Sequence, residues 1–138
     1  MKTWVGLLAL VVAVSVGAIW LFEEDVPEVA ATTLPHAVSV NLPSLEGPAA
    51  AGAEVFAGNC AVCHGQNASG GVGGPPLIHR IYEPGHHGDA SFVLAVRQGV
   101  RQHHWSFGNM PPVPGISDQQ ISQIVAYIRT LQRANGIH

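Results

Sequence analysis

Hydrophobic residues are distributed very unevenly along the chain. Trp4 to Phe22 is an uninterrupted apolar run. Residues 23–51 show no period at all, because Pro27, Pro35, Pro43 and Pro48 break them up. The same stretch holds Glu23, Glu24, Asp25, Glu28 and Glu46 with no Lys or Arg. From Gly52 onward apolar positions return at helical spacing, separated by loops rich in Gly, Pro and His.

Three helices are predicted, the first starting just before Gly52. Pro48 opens a short one through Ala57, ending near Gly58-Asn59, with Val55 and Phe56 turned inward. Asp89 is expected to cap a second, about Ala90 to Gln98, with Phe92, Ala95 and Val96 on one face and Gly99 as its stop. The third has the clearest signal. Ser117 and Gln120 form a capping box, and Ile121, Ile124, Val125, Ile128 and Leu131 follow at helical spacing up to Asn135-Gly136. Arg129 and Arg133 fall in its last turns, where they suit the helix dipole. The fold class expected is all-α.

As a helix, the run from Trp4 to Phe22 would span roughly 28 Å, close to the hydrocarbon thickness of a bilayer. Trp4 and Trp20 stand near its ends, as interfacial indoles do. Lys2 precedes the run and Glu23, Glu24 and Asp25 follow it, which puts the amino terminus in the cytoplasm and the rest outside. A cleaved signal peptide is the competing reading. Its apolar region is normally about 7–15 residues, and the nearest small-residue site, Ala30-Ala31, is distant. Either way the domain is exported. The organisation expected is an anchor at 1–22, a Pro/acidic tether at 23–51 with an r.m.s. span of roughly 30 Å, and a domain at 52–138.

Composition adds limits. A net charge of −3 is too weak to point to nucleic acid. So short a domain buries only a modest core unaided, and its long Gly/Pro/His loops are uncommon unless they wrap something.

Cys60-Ala61-Val62-Cys63-His64 supplies the chemistry. Two thiols at this spacing can each add to a vinyl group of one haem, after which the adjacent imidazole is held against the iron, so the string reads as c-type haem attachment. A redox dithiol wants a βαβ setting, and a zinc site wants a second Cys/His pair; these are the only two cysteines. The sixth iron position needs a second ligand. Apart from Met1 the chain has one methionine, Met110, in Gly108-Asn109-Met110-Pro111-Pro112, where the prolines stiffen its presentation. The rival role for Met110 is a filler in the core.

These motifs, with Gly74-Pro75-Pro76-Leu77 and Ile124-Val125-Ala126-Tyr127-Ile128-Arg129, resemble the mono-haem cytochrome c family in order and over about Gly52 to Gln132. The resemblance implies a cytochrome c fold of three or more helices around one covalent haem c. It implies thioethers on Cys60 and Cys63, His64 and Met110 as axial ligands, and a Pro75 carbonyl accepting a hydrogen bond from His64. Gly52, Phe56 and Tyr127 match the crossed terminal helices of the family.

The stretch from His79 to Trp105 departs from the family pattern through His79, His86, His87, His103 and His104. They read as solvated loop residues, as a replacement for Met110 on iron, or as a second copper or zinc site. Arg80, Tyr82 and Trp105 are candidate donors to a haem propionate.

The function expected is that of a membrane-tethered, periplasm-facing electron carrier of a bacterial inner membrane. Its expected partners are redox proteins: a quinol-oxidising complex or dehydrogenase as donor, and a terminal oxidase or reductase as acceptor. A haem enzyme or gas sensor with a labile Met110 is the alternative, and a histidine-rich metal carrier a third.

Overall fold

The computed structural model describes residue 34 and residues 36–138. The expected anchor and part of the expected tether, residues 23–33 and 35, lie outside the described residues. Among the described residues four helices carry the fold: α1 (Gly47–Asn59), α2 (Ala61–His64), α3 (Asp89–Gln98) and α4 (Asp118–Ala134). Two 3-10 turns, Gln66–Ala68 and Arg80–Tyr82, lie between α2 and α3. Among the described residues the only β pairing is one antiparallel bridge, Val100 to Met110. No helix among them is long and apolar enough to cross a membrane.

α4 begins where its capping box closes. Ser117 Oγ accepts from the Gln120 N–H at 3.2 Å, and Gln120 Oε1 accepts from the Ser117 N–H at 2.9 Å. Its stripe of Ile121, Ile124, Val125, Ile128 and Leu131 is buried throughout. α1 has Pro48 in its first turn and crosses α4 in the most extensive helix contact of the fold. A Cβ at Gly52 would collide with the backbone carbonyl of Gln123, so only glycine allows this approach. Below it, Phe56 meets Tyr127 with ring centroids 5.5 Å apart. Phe56 is 2% exposed, and its burial is worth roughly 1.5–3 kcal/mol.

Three sequence expectations change. Asp89 is the first residue of α3, and Gly88 is the cap. The Asp89 carboxylate instead accepts from Arg129 Nε at 2.8 Å. Arg129 is more than a complement to the helix dipole: it is 7% exposed and donates to Tyr82 O at 2.7 Å, His87 O at 2.5 Å and Gln132 Oε1 at 2.6 Å. Its guanidinium also lies over the Phe92 ring, 4.9 Å from the centroid. Gln132 completes the network through Nε2, which donates to Leu77 O and Tyr82 O, both at 3.0 Å. The polar heads of α4 therefore satisfy the carbonyls of the loops beside it, as buried polar groups must.

The third change concerns residues 36–46, read from sequence as tether. Val38, Val40 and Leu45 lie against the core. The Val38 N–H donates to Ser69 O at 2.8 Å, and Asn41 and Asn135 exchange bonds of 2.8 and 2.9 Å. Those backbone bonds tie the segment down; the sequence showed only its prolines and acids.

Candidate functional site

One apolar cleft of about 960 Å³, its open mouth included, gathers residues from every part of the domain. Phe56 and Cys60 come from α1 and its end, His64 from α2, Phe92 and Val96 from α3, and Ile121 and Ile124 from α4. The loops add Pro75, Leu77, Tyr82, His87, Trp105 and Met110.

The attachment motif is built by a helix that stops and restarts. The Cys60 N–H bonds to Phe56 O at 2.8 Å and closes α1, and the Cys63 and His64 N–H groups then return to Cys60 O at 3.1 and 3.0 Å. This single turn sets Cys60, Cys63 and His64 close together. Cys60 lines the cleft, and Cys63 is exposed and not among its lining residues. Both thiols are free. Burial first, and repulsion from Cys63 second, push the Cys60 thiol up to about 11. A redox dithiol needs a thiolate near neutral pH, so this environment opposes that reading. Among the described residues the metal-ligating side chains that cluster are His86, His87 and His104, with neither cysteine among them.

His64 is oriented from behind. Its Nδ1 is 2.9 Å from Pro75 O. A carbonyl only accepts, so Nδ1 carries the proton and Nε2 keeps a bare lone pair. Burial holds the imidazole below its usual pKa, with the Pro75 bond opposing, so the ring stays neutral and able to bind a metal.

Met110 reaches the same cleft by a different device. Val100 and Met110 exchange backbone bonds of 2.9 and 3.0 Å, closing the intervening loop at its base. Inside the loop the Gln102 N–H donates to Asn109 Oδ1 at 2.9 Å, and the Gly108 N–H to Gln102 Oε1 at 2.7 Å. Gly99 has a φ of 75° and a Cβ there would strike Met110 O, so a side chain would open the bridge. The prolines after Met110 were legible in sequence; this bridge was not, since it joins residues ten apart through backbone atoms.

Of the three expected polar donors, two reach the cleft. Tyr82 lines it, and burial pushes its phenol up to about 12. Trp105 lines it with a buried Nε1–H that approaches the Tyr82 side chain but meets no acceptor in hydrogen-bonding geometry. Such a donor costs roughly 1–3 kcal/mol unless something else accepts from it. Arg80 is exposed and does not line the cleft. His79 caps the second 3-10 turn by accepting from the Ile81 N–H at 3.2 Å. His86, His87 and His104 draw together, with ligating atoms within 4.8 Å of one another.

The cleft fits a flat apolar cofactor: its walls are aliphatic and aromatic, a thiol and a bare imidazole nitrogen enter it, and an orphaned N–H awaits an acceptor. Comparison with known proteins agrees. The cytochrome c family model matches residues 49–132, more than half of the chain. The chain is 36% identical over 94 residues to the cbb3-type cytochrome c oxidase subunit CcoP of Rhodobacter capsulatus, covering 64% of this chain and 31% of that protein. It is 36% identical over 94 residues to subunit FixP of a Bradyrhizobium species, covering 65% of this chain and 30% of the relative. The chain thus spans about a third of the length of the curated relatives it matches. No solved structure gives a significant match. With the family model spanning both α1 and α4 and the attachment motif between them, the chain belongs to the cytochrome c family and is a mono-haem c-type cytochrome with covalently bound haem c.

Proposed function

We propose that this protein is a membrane-tethered cytochrome c that passes single electrons to a terminal oxidase, and that its haem is ligated by His64 and Met110. Haem c supplies the one-electron couple. Cys60 and Cys63 hold it covalently, and the Pro75 carbonyl fixes the His64 ring so that Nε2 faces the cleft. Trp105 Nε1–H and the Tyr82 hydroxyl are the proposed donors to its carboxylates. The observation that carries the ligand assignment is the presence of His64 and Met110 in one apolar cleft, each held by backbone hydrogen bonds.

A labile Met110 would suit a gas-binding or peroxidase role. The closed base of the Met110 loop, with Gln102 and Asn109 bracing its interior, argues for a fixed ligand instead. The oxidase partner rests on the names of the relatives, which are subunits of cbb3-type oxidases. A quinol-oxidising complex or dehydrogenase is the proposed electron source. Residues 4–22 are the proposed membrane anchor, with the haem domain on the periplasmic side of a bacterial inner membrane.

The test is a redox titration with optical spectra on the full-length protein, followed by carbon monoxide addition to the reduced form. The expected result is one single-electron wave and no carbon monoxide binding. Ready binding of carbon monoxide would replace this proposal with the sensor or peroxidase reading.

A further inference from the structure

Four histidines stand beside the cleft in two loops, and three of them, His87, His103 and His104, line it. His86 and His87 follow the second 3-10 turn; His103 and His104 lie within the loop closed by the Val100–Met110 bridge. Electron transfer through a His/Met-ligated haem uses none of them. We propose that His86, His87 and His104 form a site for one divalent late transition-metal ion, with tetrahedral Zn(II) the best match.

Three observations carry this. The first is spacing. His86 Nε2 and His104 Nε2 are 3.2 Å apart. Two nitrogens bound tetrahedrally to zinc at about 2.0–2.1 Å stand about 3.3 Å from each other, so this pair already has the separation of two ligands on one ion. The second is orientation. His87 Nδ1 is 2.6 Å from the Ile81 carbonyl, which only accepts, so Nδ1 carries the proton and Nε2 is left bare. An imidazole that donates through one nitrogen to a backbone carbonyl and ligates through the other is the usual arrangement at metal sites. The third is preorganisation. The Glu83 carbonyl accepts from the N–H groups of both His86 and His87, at 3.0 and 2.8 Å. The buried Arg129 guanidinium holds His87 O at 2.5 Å, and the bridge at Val100 and Met110 fixes the other loop. Little ordering is left for the ion to impose.

Three imidazoles leave one position of the tetrahedron for water or another exchangeable ligand. Because His87 and His104 also line the haem cleft, a bound ion would cross-link the two loops of its wall.

The experiment is isothermal titration of Zn(II) into the haem-loaded, full-length protein, with metal analysis after equilibrium dialysis. One Zn(II) per chain is expected. His86→Ala should weaken binding at least tenfold while the haem spectrum, which reports an intact fold, stays unchanged, because His86 does not line the cleft; His104→Ala should weaken binding at least tenfold as well. His138→Ala, which alters a histidine outside the cluster, should bind as the parent does. No saturable binding, or equal binding by the His86 and His104 variants, would overturn the site and leave the pair as an N–H···N hydrogen bond only. Either result is independent of the ligation assigned to His64 and Met110.

Discussion

The crossing of α1 and α4 and the loop wall from residue 79 to residue 110 are stabilised in opposite ways. At the crossing, Gly52, Phe56, Ile124 and Tyr127 meet through apolar surface and a close backbone approach. At the wall, shape is set by polar atoms: Arg129 on Tyr82 O and His87 O, Gln132 on Tyr82 O, and the Val100–Met110 bridge. Packing makes the crossing complete in itself. The wall is complete on its outer side only, where α4 satisfies its carbonyls, while its inner side keeps an unpartnered indole N–H at Trp105 and bare imidazole nitrogens. A surface built in this way is shaped to receive a group that the protein does not itself provide.

Mutations separate the two regions. Phe56→Ala removes a ring that is 2% exposed from the crossing, and the loss should be about 3–5 kcal/mol in guanidinium unfolding of the haem-loaded protein. Arg129→Leu keeps bulk but leaves His87 O without its donor and Asp89 without its partner. About 2–3 kcal/mol should be lost, and Arg129→Lys should restore little, because an ammonium does not reproduce the guanidinium fork. If Arg129→Lys is as stable as the parent, the wall is not held as described. Ser117→Ala opens the capping box of α4 and should cost about 1 kcal/mol, touching neither the crossing nor the cleft.

The smallest expected effect is a pH dependence of the wall. Burial raises the Tyr82 phenol from 10.0 to about 12 in the folded protein. The unfolded chain therefore ionises first as pH rises. Tyr82 adds stability in full below about pH 10, and that contribution disappears as pH climbs toward about 12. Tyr82→Phe should flatten the alkaline part of the stability profile; an unchanged alkaline slope would place Tyr82 in a more solvated setting.

Sequence revealed these regions to different depths. α4 was legible because its signals are local: a capping box, an apolar stripe and an Asn-Gly stop within one stretch. Gly52, Phe56 and Tyr127 were legible through family resemblance, since spacing alone does not pair residues seventy positions apart. The cap of α3 was misplaced by one residue, because the Asp89 carboxylate is used on Arg129 and not on the helix end. The burial of Arg129 was missed, although a signal was present. Arg129 and Gln132 each directly follow a core residue, Ile128 and Leu131, so a polar pair sits on the edge of the apolar stripe. Nothing local foretold that His86 would meet His104, because two loops eighteen residues apart come together only in the fold.

The central claim is a haem clasped by His64 nitrogen and Met110 sulfur. Its most direct test is the far-red absorption of the oxidised full-length protein beside that of Met110→Ala. A weak sulfur-to-iron charge-transfer band should be present in the parent and lost in the variant, with covalent haem retained by both. A parent spectrum without that band, or a band that survives the substitution, would contradict the account.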